Sequence, residues 1–206
     1  MATKQFETLL DSLASPPPCS VGIGRAPGPD TRPAYLAMRD GLNQCLAGQA
    51  TLAAETLQHA YVLYRRAGDK RSASLAQKAI GLCFDAITDC EAARTAYCKS
   101  IRLLREAGLH DEAARVQIVM ARFEAGHGGK REAMNALKAA LVIYREIVHP
   151  VGQVEALCQY AELALAGGER AEAHASAREA LELVEHIDDV NTHEKLRTRA
   201  ETLLVA

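Results

Sequence analysis

Small and apolar side chains recur along this chain at a spacing of 40 residues. Ala53, Ala93, Ala133 and Ala173 open four copies of one pattern, and Leu57, Tyr97, Leu137 and Ala177 follow four places on. Ala60, Ser100, Ala140 and Ala180 come next, then Tyr61, Ile101, Leu141 and Leu181, then Leu63, Leu103, Ile143 and Leu183. Steps of three and four residues put these positions on one face of a helix. No insertion shifts the register from copy to copy. A fixed period of this length implies a stacked repeat, in which each unit buries its apolar face against its neighbours.

The same pattern predicts two helices per unit. The first helices are expected at 33–47, 70–87, 110–126 and 150–166, and the second helices at 49–67, 89–107, 129–148 and 168–187. Gly48, Gly128 and Gly168 stand at the turn inside a unit, where glycine supplies the left-handed conformation that stops a helix. At the fourth such site, Thr88-Asp89 is expected to work differently, by capping the incoming helix. Gly41 and Gly81, matched by Ala121 and Ala161, sit in mid-helix. A glycine there costs about 1 kcal/mol relative to Ala, and close approach of a neighbouring helix is the expected compensation.

The flanks differ from the repeats. Phe6, Leu9, Leu10 and Leu13 form one stripe of a short amphipathic helix over residues 1–14. Residues 15–32 read as a linker; the stretch from Ser15 to Pro33 holds six of the seven prolines and little that can be buried. Four 40-residue repeats then occupy residues 33–190. A capping helix is expected over 191–206, started by a capping box of Asn191 and Glu194, with Leu196, Ala200, Leu203 and Leu204 as its inner stripe.

Composition narrows the class. The chain has 206 residues, 49 % hydrophobic, yet only 4 % aromatic with no Trp. Helices packed through Ala and Leu need few large rings. A net charge of −2 argues against a nucleic-acid or anionic-membrane surface. The basic cluster Arg65, Arg66, Lys70 and Arg71 is broken by Gly68 and Asp69 and reads as a solvated turn. Cys19, Cys45, Cys83, Cys90, Cys98 and Cys158 contain no C-x-x-C pair. Four of them fall in helices as small hydrophobes, which suits a reducing compartment. With no signal peptide and no membrane span in the pattern, a cytoplasmic location is expected.

Candidate chemistry is sparse. Glu124 and His127 have the E-x-x-H spacing of di-iron helices, but such sites need a second copy and further carboxylates. His127 is expected to meet the carbonyls at its helix end instead. His186, Asp188, Asp189 and His193 read as capping and solvation. The run Val21-Gly-Ile-Gly-Arg25 lacks the strand and helix of a phosphate loop. No enzyme activity, metal or cofactor is expected.

The small-residue marks at Gly41, Gly81, Ala121 and Ala161, with Ala53/Ala60, Ala93/Ser100, Ala133/Ala140 and Ala173/Ala180, resemble the tetratricopeptide repeat (TPR) family in its 40-residue form. The joints Leu63–Asp69 and Leu103–Gly108 are similar to those of kinesin light chains. The resemblance covers residues 33–206. It implies an all-α, right-handed superhelix of four antiparallel helical hairpins plus the capping helix. It also implies a non-catalytic scaffold or adaptor that takes a helical or extended segment of a partner protein in a concave groove.

Carried over by position, the groove is lined by rows from the first helices. These are Tyr35, Met38, Leu42 and Cys45; Leu75, Lys78, Leu82 and Asp85; Arg115, Ile118, Arg122 and Ala125; Glu155, Cys158, Glu162 and Leu165. The wall would be apolar at its start, basic in the middle and acidic at its end; the alternative for several residues of the apolar strip, Leu75 and Leu82 above all, is packing between neighbouring hairpins. The Lys and Asn of the family's carboxylate clamp are replaced by Met38/Leu42 and Lys78/Leu82, so chaperone tails are not expected partners. Lys78, Arg115 and Arg122 are expected either to meet acids of a ligand or to pair with Glu155 and Glu162. The Phe6/Leu9/Leu10/Leu13 helix is a candidate occupant, in cis or in a second copy. A sensor of a small signalling peptide and a self-assembling scaffold are the alternative roles.

Overall fold

The computed structural model describes residues 31–205; the expected N-terminal helix and linker lie outside the described residues. Among the described residues the chain is all-α. Its helices are α1 (Arg32–Leu46), α2 (Ala50–Arg66), α3 (Lys70–Ala86), α4 (Cys90–Glu106), α5 (His110–Gly126), α6 (Lys130–Glu146), α7 (Pro150–Ala166), α8 (Arg170–Val184) and α9 (Val190–Val205). They fall into two compact units. The first, ending at Leu109, holds α1 to α4; the second, beginning at His110, holds α5 to α9.

In the first unit α1 packs on α2, α2 on α3 and α3 on α4, and the first helices α1 and α3 also touch. In the second unit α5 packs on α6, α6 on α7 and α7 on α8, with α5 touching α7 and α9 lying on both α8 and α7. The repeated apolar pattern is the core. Ala53, Ala93, Ala133 and Ala173 are fully buried, as are Leu57, Tyr97, Ala60, Ser100, Ala140, Ala177 and Ala180. A buried Leu in such a position is worth about 1.5–3 kcal/mol over an exposed one. The one polar member, Ser100, donates its hydroxyl to Oγ of Ser74 at 3.4 Å.

The mid-helix glycines have the expected cause. A Cβ on Gly81 would stand 2.7 Å from Cε1 of Tyr97, and one on Gly41 the same distance from Cγ of Leu57. Gly152 adds a third close approach, against the ring of Tyr144, which the sequence pattern did not single out.

The joints are more regular than the side-chain pattern. Residues 48, 68, 88, 108, 128, 148 and 168 all have positive φ, between 53° and 80°. At each, the amide of that residue donates to the carbonyl three back, and the next amide donates to the carbonyl five back. This double bond pattern satisfies the last carbonyls of the outgoing helix. Thr88 is therefore itself left-handed (φ 60°), contrary to the expectation that capping replaced that geometry. Its hydroxyl donates to the carbonyl of Ile87 at 2.7 Å. Both devices operate there, because Asp89 also accepts from the amide of Ala92 at 3.1 Å. Asp69 caps α3 in the same way through Ser72, at 2.9 Å, and His149 Nδ1 accepts from Gly152 at 2.9 Å.

The cap of α9 also corrects the sequence reading. Asp189, not Asn191, accepts from the amide of Thr192, at 2.8 Å, and the helix starts at Val190. A carboxylate satisfies an orphan amide at a positive helix end well, so the helix begins at the earlier acid. Hydrogen bonds from the Thr192 hydroxyl and then its amide hold the Asp189 carboxyl below its ordinary value. On the inner face of α9, Leu196, Ala200 and Leu203 join one core cluster with Val154, Leu157, Ala173, Ala177 and Ala180 of α7 and α8.

Candidate functional site

Each first helix presents its outer rows differently, and burial sorts the expected groove residues into two sets. Met38 and Leu42 are fully buried, Leu82 and Ile118 are nearly so, and Cys158 has no exposed surface. These five belong to the core rather than to an open wall, which corrects their assignment as contact residues. Tyr35, Leu75, Lys78, Cys45, Asp85, Ala125 and Leu165 are half-buried. Arg115, Arg122, Glu155 and Glu162 are exposed.

The contrast between Leu42 or Leu82 and Arg122 or Glu162 is informative, because all four share one register. The position lies at the border of the core. An apolar side chain there folds inward and is covered; a long charged one carries its head out to water along an apolar stem. Residue type, not backbone placement, decides which happens.

The ion pairs are local and do not join the two charged rows. Arg115 Nε reaches Asp111, one turn earlier on α5, at 3.1 Å. Glu162 takes Arg199 of α9 at 2.7 Å. Neither arginine of α5 pairs with Glu155 or Glu162 among the described residues, so for Arg115 and Arg122 the expected pairing across the wall is not formed. Arg122 and Glu155 form no ion pair among the described residues. Exposed pairs of this kind contribute at most about 1 kcal/mol each, so these charges are not there to hold the fold.

Other candidates resolve into structural roles. His127 Nδ1 lies 2.9 Å from the carbonyl of Phe123, at its helix end, and Glu124 of the same E-x-x-H spacing is buried. Burial, the dominant effect, pushes the Cys158 thiol up to about 11, with Arg199 opposing, which leaves it unreactive near neutral pH. No group of three or more His, Cys, Asp or Glu able to hold a metal occurs among the described residues. No described helix is long and apolar enough to cross a membrane. Phe6, Leu9, Leu10 and Leu13 lie outside the described residues.

The structure also brings together residues the sequence reading left apart. Cys45 and Cys83 place their Sγ atoms 2.9 Å from one another. Lys130 binds Glu169 at 2.9 Å. With Glu162 and Arg199, these pairs are 38, 39 and 37 residues apart. A separation just under one repeat thus marks neighbours on one face of the packed helices. That spacing was the available signal. In the second unit, Tyr160 donates its hydroxyl to Glu172, and the Lys138 ammonium sits 5.2 Å from the centre of the Tyr160 ring. An open depression of about 350 Å³ in the first unit, bordered by Gln58, Gln77, Asp89 and Lys99, involves none of the expected groove positions.

No protein-family model matches the chain, and no curated protein matches it. Solved structures do. The chain is similar to the nearly identical TPR-like repeats of a putative kinesin light chain from Podosopora anserina, with a TM-score of 0.59 at 14 % identity, over 84 % of this chain and 88 % of that one. It is similar also to BtubC (BKLC) from P. vanneervenii, with a TM-score of 0.52 at 13 % identity, over 97 % of this chain and 88 % of that one. The fold is a TPR-like helical repeat.

Proposed function

We propose that this chain is a non-catalytic scaffold that holds a helical or extended segment of another protein against the outer rows of its first helices. Within each unit taken by itself, the contacts are carried by the residues that reach solvent: Tyr35, Leu75 and Lys78 in the first unit, and Arg115, Arg122, Glu155 and Glu162 in the second. Met38, Leu42, Leu82 and Ile118 shape the wall from beneath.

One observation carries the reading. The exposed Arg122 and Glu155 stand on consecutive first helices of the second unit, without an ion pair among the described residues, while the core beneath them is complete. A stable helical pair needs neither charge. A partner segment that presents an acid to α5 and a base to α7 would use both, and charges of opposite sign on neighbouring rows give register and specificity more than affinity.

The test is a double charge reversal, Arg122→Glu with Glu155→Arg. Partners captured from a lysate by the wild-type protein and identified by mass spectrometry are expected to be lost or weakened at least tenfold with the variant. The melting temperature should move by no more than about 2 °C, since neither residue supports the core. Unchanged capture would remove the proposal, and a large loss of stability would show that these rows serve the fold.

A further inference from the structure

Cys45 lies in the last turn of α1 and Cys83 one turn from the end of α3, where these two first helices touch. Their Sγ atoms are 2.9 Å apart and both are thiols. A disulfide needs about 2.05 Å between sulfurs, so the two sulfurs need approach by less than about 1 Å to bond. Cys83 is fully buried, whereas Cys45 is half-buried and open to small solutes. Cys90, Cys98 and Cys158 have no such sulfur neighbour among the described residues.

We propose that Cys45 and Cys83 form a redox modification site, converted by a peroxide-class oxidant into an intramolecular disulfide that ties α1 to α3. The sulfur of Cys45, as thiolate, attacks one oxygen of hydrogen peroxide. An S–O bond forms, the O–O bond breaks, and the departing hydroxide takes up a proton as water. The sulfenic acid on Cys45 then faces Cys83. An S–S bond forms, the S–O bond breaks, and the hydroxyl leaves with the Cys83 proton as a second water. Two electrons leave the sulfur pair and reduce one peroxide to two waters. A dithiol reductant reverses the change by thiol–disulfide exchange.

The division of labour follows from the environment. The hydrogen bond with Cys45, and then burial, keep Cys83 protonated, so the accessible Cys45 meets the oxidant and Cys83 resolves the product. The cross-link spans residues 45–83, encloses α2, and restricts the unfolded chain. It also fixes the spacing of α1 and α3, the helices that carry Tyr35, Leu75 and Lys78.

The experiment treats the full chain with stoichiometric hydrogen peroxide, blocks remaining thiols with iodoacetamide under denaturing conditions, and maps the peptides by mass. The expected result is a peptide joining Cys45 to Cys83, lighter by two hydrogen atoms and abolished by dithiothreitol. The oxidised protein should melt about 5 °C or more above the reduced one. In Cys83→Ala, the sulfenic acid at Cys45 should persist and be trapped by dimedone. Alkylation of both thiols after peroxide overturns the proposal. So does sulfinic acid at Cys45 beside an alkylated Cys83, or a bridge from either residue to a different cysteine.

Discussion

The first and last helical pairs share one register but meet their surroundings in different ways. In α3, Ala76, Ala79, Ile80 and Cys83 are buried. The same register in α1 holds Leu36, Arg39, Asp40 and Asn43, all exposed. No described helix precedes α1, and at three of these four positions a polar residue, Arg39, Asp40 or Asn43, stands where α3 has an apolar one. At the other end the apolar face of α8 continues unchanged through Ala173, Ala177 and Ala180, and α9 covers it with Leu196, Ala200 and Leu203. A repeat with an uncovered apolar face is a sticky edge. Among the described residues, α1 meets the problem by polar substitution at three positions, and α8 by a covering helix.

Ending the chain at Ile187 tests the second solution most severely. Without α9 the second unit bares its cluster, and a loss of roughly 5 kcal/mol or more is expected from the apolar area returned to water. Thermal melts by circular dichroism should show early unfolding or association; an unaltered melt would mean that α9 is dispensable. Next, Ala76→Glu and Leu36→Glu put the same carboxylate at the same register. In α3 it is an unpaired buried charge costing about 3–5 kcal/mol. In α1 it should lie within about 0.5 kcal/mol of wild type. Equal urea midpoints for the two variants would erase the distinction between the helices. Leu196→Ala should remove about 2–4 kcal/mol, measured the same way, while leaving the helix content intact.

The smallest effect belongs to the α9 cap. The folded Asp189 carboxyl titrates below its ordinary value because it accepts from Thr192. Its contribution is therefore complete above the unfolded aspartate value of about 3.9 and is lost as pH falls through the lower folded one. The melting temperatures of wild type and Asp189→Ala should differ by a constant amount at neutral pH and converge in acid. A gap that widens in acid would contradict the cap.

Much of this architecture was legible beforehand, and its failures have definite causes. Helix bounds came within three residues because the apolar period and the joint glycines are local signals. Thr88 and Val148 hid their left-handed geometry, since a β-branched residue rarely adopts positive φ. The backbone repeats every 20 residues at the joints even where the side chains do not advertise it. The capping-box spacing of Asn191 and Glu194 is conspicuous in the sequence, yet the carboxylate of Asp189, two residues earlier, caps the helix. Met38, Leu42, Leu82 and Ile118 were placed on an open wall by a positional rule that does not see how far an apolar side chain folds inward.

The sequence alone determined that the chain forms paired helices at a constant spacing, because helix periodicity and turn chemistry act over a few residues. Which border positions reach water, which charges stay unpaired in the second unit, and which two cysteines meet in the first were decided only by tertiary packing. Those outcomes depend on side chains nearly a repeat away, and no local pattern specifies how deeply two packed helices bury the residues between them.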